Sequence, residues 1–158
     1  MNIRAALSKY DLVLITGGSS GIGRAFIKLI INSSDGLRIC NISRSKPGKE
    51  FFDSGGVHLE CDLTEAGAIA GLQPGIREQL DATSRKVLLI NNSGFGSYGE
   101  FRDLDIGKEL NMIELNVKAV VELVHELLPS LSSRGGVILN VASTAAWQPT
   151  PYLATYGA

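Results

Sequence analysis

Short apolar runs alternate with longer amphipathic stretches along the chain. Five runs stand out, at residues 12–15, 37–42, 57–59, 87–90 and 137–141. Runs of this length and composition fit strands buried on both faces, as in a parallel sheet. Between them the spacing turns helical. Ile22, Phe26, Leu29 and Ile30 recur at helical steps over 22–31, and a weaker pattern over 64–80 is interrupted by Gly71 and Pro74-Gly75. The strongest pattern covers 105–131. Its apolar stripe is Leu110, Ile113, Val117, Val120, Val124, Leu127 and Leu131, at steps of three and four. A second, partly apolar strip on the same helix reads Leu115, Ala119 and Leu123. Strand–helix alternation predicts βαβ units, hence an α/β fold with an open, doubly wound parallel sheet and right-handed crossovers.

Composition narrows the reading. A chain of 158 residues suits one domain. With 44% hydrophobic residues and a net charge of −1, a disordered chain is excluded. Fifteen Lys and Arg balance sixteen Asp and Glu without a basic block, so no nucleic-acid partner is expected. No apolar run approaches the ~20 residues that span a bilayer, so no membrane partner is expected. Residues 1–9 carry no long apolar core of a secretory signal. These features predict a soluble, cytoplasmic, single-domain protein over 1–158. Cys40 and Cys61 lie in apolar stretches and read as buried structural thiols; no metal-ligand cluster surrounds them. His58 and His125 are isolated and take no role.

A glycine turn carries the first chemistry. Thr16-Gly17-Gly18-Ser19-Ser20-Gly21-Ile22-Gly23 follows the first strand and opens the first helix. Gly17 permits a tight turn, Gly21 lets backbone approach a pyrophosphate, and Gly23 lets helix and strand pack closely. Ser19 and Ser20 add hydroxyl donors, and the helix start adds free N–H groups and a positive dipole end. Folds of this kind that favour NAD end the second strand on a carboxylate. Here that segment reads Cys40-Asn41-Ile42-Ser43-Arg44-Ser45-Lys46, with no carboxylate. Arg44 offers a guanidinium fork to a 2′-phosphate instead, so NADP(H) is expected over NAD(H).

Three further features sit where strand ends or a helix meet the expected crevice. Asn91-Asn92-Ser93-Gly94 follows the fourth strand, Asn116 lies in the long helix, and Ser143 ends the fifth strand thirteen residues before Tyr156. Together with the glycine turn, this ordered set resembles the short-chain dehydrogenase/reductase family over essentially the whole chain, 11–158. The family's Asn-Asn-Ala-Gly is here Asn-Asn-Ser-Gly, a mild departure.

The resemblance implies a Rossmann-like sheet of order 3-2-1-4-5 and residue roles. Gly17, Ser19, Ser20, Gly21, Ile22 and Gly23 would form the cofactor loop. Asp62 and Leu63 would contact adenine, and Asn91 and Gly94 would line the nicotinamide half. Asn116 would hold a relay water and position a lysine. Ser143 would hydrogen-bond the substrate oxygen, and Tyr156 would be the general acid or base. The reaction implied is hydride transfer between nicotinamide and a small carbonyl or alcohol substrate. The family's lysine, four residues after the tyrosine, would fall beyond Ala158, and two later strands would follow. A chain ending there is expected to be C-terminally truncated, poorly soluble and inactive alone, which leaves a non-catalytic dinucleotide-binding or interaction protein as the alternative. The resemblance also implies a homodimer or homotetramer pairing through the long helix, with Leu115, Ala119 and Leu123 at the interface. Trp147 and Tyr152 flank the active-site loop, where contact with substrate and ordinary packing both remain open.

Overall fold

Each apolar run forms a strand. In this computed structural model, which describes residues 2–34 and 36–158, the strands are β1 (Tyr10–Thr16), β2 (Arg38–Ser43), β3 (Val57–Glu60), β4 (Lys86–Asn91) and β5 (Val137–Asn140). They build one parallel sheet in the order β3-β2-β1-β4-β5. Val13 pairs with Ile39 of β2 on one side and Leu88 of β4 on the other, and Leu89 pairs with Ile138 of β5. The chain leaves the β3 edge to enter β4 beside β1, which makes the carboxyl ends of β1 and β4 the switch point where such sheets bind ligands.

Strand alternation feeds two cores. Leu12, Leu14, Cys40, Ile42, Val87 and Leu89 face α4 (Ala68–Asp81) and α6 (Ala119–Arg134). Val13, Ile15, Ile39 and Ile90 face α1 (Ile3–Leu7), α2 (Gly21–Ser33) and α3 (Lys49–Asp53). Both faces of β1 are therefore dry, which is why its sequence is apolar throughout rather than alternating.

Two expectations about helices are corrected. The pattern over 64–80 is not interrupted: α4 runs continuously from Ala68 to Asp81 with Pro74 inside it. An interior proline costs about 3 kcal/mol. Burial of Ile69, Leu72, Ile76 and Leu80 on one face outweighs that at about 1.5–3 kcal/mol per side chain. Gly75 serves packing, since a Cβ there would lie 2.9 Å from Leu59 Cδ2 of β3.

The long helix over 105–131 is two helices in one line. After N-cap Asp105, whose side chain accepts from Lys108 N, α5 spans Ile106–Ile113. One π turn covers Glu114–Lys118, and α6 follows. The expected core stripe holds only in its last part, where Leu127 and Leu131 are buried and Val124 packs against the core. Ala119 and Leu123, expected at a subunit interface, are buried against the sheet with Leu127 and Leu131. Leu110, Ile113 and Val117, expected in the core, are exposed. The buried line Glu109, Met112, Ala119, Leu123, Leu127 and Leu131 keeps regular helical spacing through the π turn, so spacing alone did not tell which of two neighbouring strips is buried.

Candidate cofactor and active site

The glycine turn is pinned by both neighbouring strands. Gly17 N donates to Ile42 O at 2.9 Å, and Gly18 N donates to Asn41 Oδ1 at 2.7 Å. From the other side, Asn92 Nδ2 donates to Thr16 O and Gly17 O at 3.0 and 3.2 Å. Thr16 Oγ1 in turn accepts from the N–H groups of Asn92 and Ser93 at 3.0 and 2.9 Å. Gly17 has φ +70°, and a Cβ on it would lie 2.8 Å from Ser93 Oγ. A Cβ on Gly23 would lie 2.2 Å from Gly17 O, so only glycine lets α2 begin this close to the turn.

The start of α2 faces outward with donors unspent. Ser20 caps the helix without a side-chain hydrogen bond, and the first i→i−4 bond is Arg24 N to Ser20 O. The N–H groups of Gly21, Ile22 and Gly23 therefore precede any intrahelical bond. Gly21 has φ +50°, and a Cβ there would meet nothing within 4 Å. Backbone donors, a helix dipole and open space above them fit a pyrophosphate.

A cavity of about 340 Å³ lies over this helix start. Of the expected cofactor residues, Gly17, Ser19, Ser20, Gly21, Ile22, Arg44, Asp62, Leu63 and Gly94 line it. Arg44 follows β2 and stands 3.5 Å from Asp62 through an ion pair on the cavity wall. Burial would raise the Asp62 carboxyl, but the Thr64 N–H and hydroxyl and then the Arg44 guanidinium outweigh it and hold it below its usual range. Cys61 also lines the cavity and is only partly buried, whereas Cys40 is fully buried and its thiol is pushed up to about 12 by burial. The expectation of two buried thiols thus holds for Cys40 alone.

Two expected cofactor residues lie off the cavity. Gly23 sits beneath the turn, as described. Asn91 is buried, and its amide donates to Asn140 Oδ1 of β5 at 2.8 Å; Asn92 and Ser93 line the cavity in its place.

Two of the expected catalytic residues, Asn116 and Tyr156, touch the loop after β4. Asn116 lies in the π turn and grips Phe95 at two points: Phe95 N donates to Oδ1 at 3.1 Å, and Nδ2 donates to Phe95 O at 2.9 Å. Ser143 lies just past β5, whose end is tied to the loop by Val141 N donating to Asn91 O at 2.9 Å. The Ser143 hydroxyl caps a 3₁₀ turn over Thr144–Ala146 by accepting from Ala145 N. Tyr156 lies in α7 (Ala154–Gly157), which packs on that turn and on α5. Its ring stands against Gly96, where a Cβ would come within 3.2 Å of Tyr156 Cδ2. Trp147 and Tyr152 are exposed, and Tyr152 packs against Tyr98 with the rings tilted and their centroids 5.3 Å apart.

Two polar residues that shape this region carried no role in the sequence reading. Asn41 is fully buried and braces Gly18. An asparagine between Cys40 and Ile42 in an apolar strand is the signal that marks it, because a buried amide must be bonded. Glu109 is also buried, in α5, and nothing in its helical spacing separates it from a solvated glutamate.

An open parallel sheet with a glycine turn and a free helix start at its switch point defines a Rossmann-type nucleotide-binding fold. The family model for short chain dehydrogenase matches residues 11–158, and the chain belongs to that family of NAD(P)-binding oxidoreductases. It is 34% identical over 155 residues to the very-long-chain 3-oxoacyl-CoA reductase of Anas platyrhynchos, covering 92% of this chain and 49% of the relative. A short-chain dehydrogenase/reductase structure from Burkholderia vietnamiensis superposes with a TM-score of 0.83 at 24% identity, covering 94% of this chain and 71% of that one. A metagenomic short-chain oxidoreductase solved in complex with NADP superposes with a TM-score of 0.80 at 26% identity, covering 93% of this chain and 67% of that one. The chain spans about half the length of the curated relatives it matches. Among the described residues, no helix is long and apolar enough to cross a membrane, and no group of His, Cys, Asp and Glu is placed to hold a metal ion.

Proposed function

We propose that this chain forms the cofactor-binding part of a cytoplasmic, NADP(H)-dependent oxidoreductase acting on a carbonyl or alcohol substrate. The observation that carries the reading is the cavity where the free start of α2, the glycine turn and Arg44 meet. The cofactor, when bound, supplies or accepts the hydride. Everything else falls to the protein. Gly21, Ile22 and Gly23 N–H groups and the α2 dipole hold the pyrophosphate. Asp62 and Leu63 border the adenine end, and Gly94 with Asn92 and Ser93 borders the nicotinamide end. Ser143 orients the substrate oxygen, and the Tyr156 hydroxyl gives or takes its proton. Asn116 keeps the loop at Phe95 in place beneath them.

Arg44 is the basis for choosing NADP(H). It is mostly exposed at the cavity wall, and Asp62 holds it only through one 3.5 Å contact, so its fork is free to turn to a 2′-phosphate. NADPH is expected to bind at least about tenfold tighter than NADH, ~1.4 kcal/mol. Arg44→Asp should reverse that order. Calorimetric titration with both cofactors reads the result, and equal affinities in the unmutated protein would remove Arg44 from the role. The neighbour crystallised with NADP supports the same reading by likeness only.

The substrate class follows the family, and the avian 3-oxoacyl-CoA reductase likeness points to a carbonyl beside a long apolar group. The same reading makes the chain a homo-oligomer, but through the exposed strip of the long helix rather than through Leu115, Ala119 and Leu123. Ile106, Leu110, Ile113, Val117 and Val121 are all exposed on one side of α5 and α6. A contiguous apolar stripe of this kind suits an isologous helix pair. Val117→Asp is expected to convert the oligomer to monomer in sedimentation at micromolar concentration. Retention of the oligomer by Val117→Asp and by Val121→Asp would place the interface elsewhere.

A further inference from the structure

Asn41 is a fully buried amide in β2, set between Cys40 and Ile42. Such an amide is costly unless its groups are bonded. The bonds fix which way it points. The backbone N–H of Gly18 can only donate, so the atom that faces it at 2.7 Å is the oxygen, Oδ1. Nδ2 then faces Ser43 Oγ at 2.8 Å and His58 Nδ1 of β3 at 3.0 Å, and donates one hydrogen to each. Both of the amide's donors are spent.

Ser43 carries the chain of bonds onward. Its hydroxyl accepts from Asn41 and has one hydrogen to give, which goes to Ser45 O at 2.8 Å. That bond closes over Arg44, the residue between the two serines. Ser43, Arg44 and Ser45 all line the cofactor cavity, as do Gly17 and Ser19 on either side of Gly18, whereas Asn41 does not reach it. One side chain outside the cavity thus joins two parts of its wall, the glycine turn and the bend that carries the guanidinium. Hydrogen bonds in series orient one another. Without the Asn41 donor, the Ser43 hydroxyl is free to rotate away from Ser45 O. Arg44 depends on that bend, because its side chain is mostly exposed and its ion pair to Asp62 spans 3.5 Å. The backbone therefore decides where its fork can reach.

We infer that Asn41 is a positioning residue for cofactor selection. It holds the glycine turn and the Ser43–Ser45 bend in one frame, so that Arg44 meets a 2′-phosphate while the pyrophosphate sits on the start of α2. The inference rests on the reading of this cavity as the NADP(H) site. His58 completes the frame from β3, although nothing in its sequence position marks it.

The test compares NADPH with NADH, which share the pyrophosphate and differ by the 2′-phosphate. Asn41→Val removes the amide and places a residue suited to a strand. It is expected to lower the NADPH-over-NADH affinity ratio at least about fivefold in calorimetric titration, the worth of one lost hydrogen bond. A merely structural asparagine would weaken both cofactors by the same factor. With Arg44→Gln in place, the ratio should no longer respond to Asn41→Val, because the effect runs through the guanidinium. Asn41→Asp keeps the shape and the acceptor for Gly18 but takes the Ser43 hydrogen away from Ser45. The Ser45 carbonyl ¹³C signal of the ligand-free chain should therefore move upfield in Asn41→Asp, as it should in Ser43→Ala. An unmoved Ser45 signal in folded Asn41→Asp overturns the inference, even where Asn41→Val fails to fold. Absence of NADPH binding by the unmutated chain, or equal affinity for the two cofactors, overturns the functional reading. A preference for NADPH that survives in folded Asn41→Val overturns only the frame.

Discussion

Gly17→Val is expected to weaken dinucleotide binding by at least about a hundredfold, ~2.7 kcal/mol. Two costs add. The residue sits at φ +70°, where an L side chain is strained by about 1–2 kcal/mol, and a β-branched one by more. Its Cβ would also press on Ser93 Oγ at 2.8 Å and on Asn92 Nδ2 at 3.1 Å, both on the loop that pins the turn. The turn then shifts away from the start of α2, and the pyrophosphate donors lose their arrangement. Gly21→Ala gives the contrast. Its Cβ would enter open space beside the cavity, so folding should suffer less while binding still weakens. Calorimetry with NADPH on both variants, with thermal unfolding in parallel, reads the two costs separately. Unchanged affinity in Gly17→Val would show that the cavity is not the cofactor site.

In a longer protein that carries this chain and the proposed activity, Tyr156→Phe is expected to cut turnover by about 10²–10⁴-fold, the usual worth of a positioned proton-transfer group. The change removes one hydroxyl and keeps the ring that rests on Gly96. Cofactor affinity should be essentially unchanged, because Tyr156 lies off the cofactor cavity. Stopped-flow oxidation of NADPH against a panel of aldehydes and ketones measures the rate, and calorimetry measures the affinity. A free phenol has a pKa near ~10, so a base at neutral pH needs a nearby cation. Comparable rates for the two proteins would mean that another group handles the proton.

β1 and β4 were legible because parallel strands buried on both faces write themselves as unbroken apolar runs; β2 carries Asn41, β3 carries His58, and β5 is exposed at Val137 and Leu139, so these three were read from shorter or interrupted apolar runs. The turn from Thr16 to Gly23 was legible because its glycines are required by backbone geometry, at φ +70° and +50° and at the 2.2 Å approach to Gly17 O. Helix detail was less so. Pro74 reads locally as a breaker, and only the buried face of Ile69, Leu72, Ile76 and Leu80 shows why α4 continues. Two apolar strips run side by side along α5 and α6, and spacing alone did not tell which one is buried before Val124. Short α1 and α3 carry too few turns for periodicity. Within the site, Asn91 and Asn92 are adjacent amides whose duties depend on which face of the strand end each occupies. That divides them between β5 and the glycine turn.

The π turn has a consequence for how this helix tolerates change. An α turn closes over i→i+4 bonds and a π turn over i→i+5 bonds, so Glu114–Lys118 holds one residue more than the α turn it replaces. Upstream of it, Glu109 and Met112 are the buried positions; downstream, Ala119 and Leu123 lie against the sheet. Deleting a single residue within Glu114–Lys118 closes the π turn to an α turn and leaves the faces before and after it in place. Glu109 and Met112 keep their enclosure, and the loss falls on Asn116, whose grip on Phe95 is made from within the π turn. A one-residue deletion there should therefore be better tolerated by the fold than the same deletion inside α5 or α6, and its cost should show at the loop after β4.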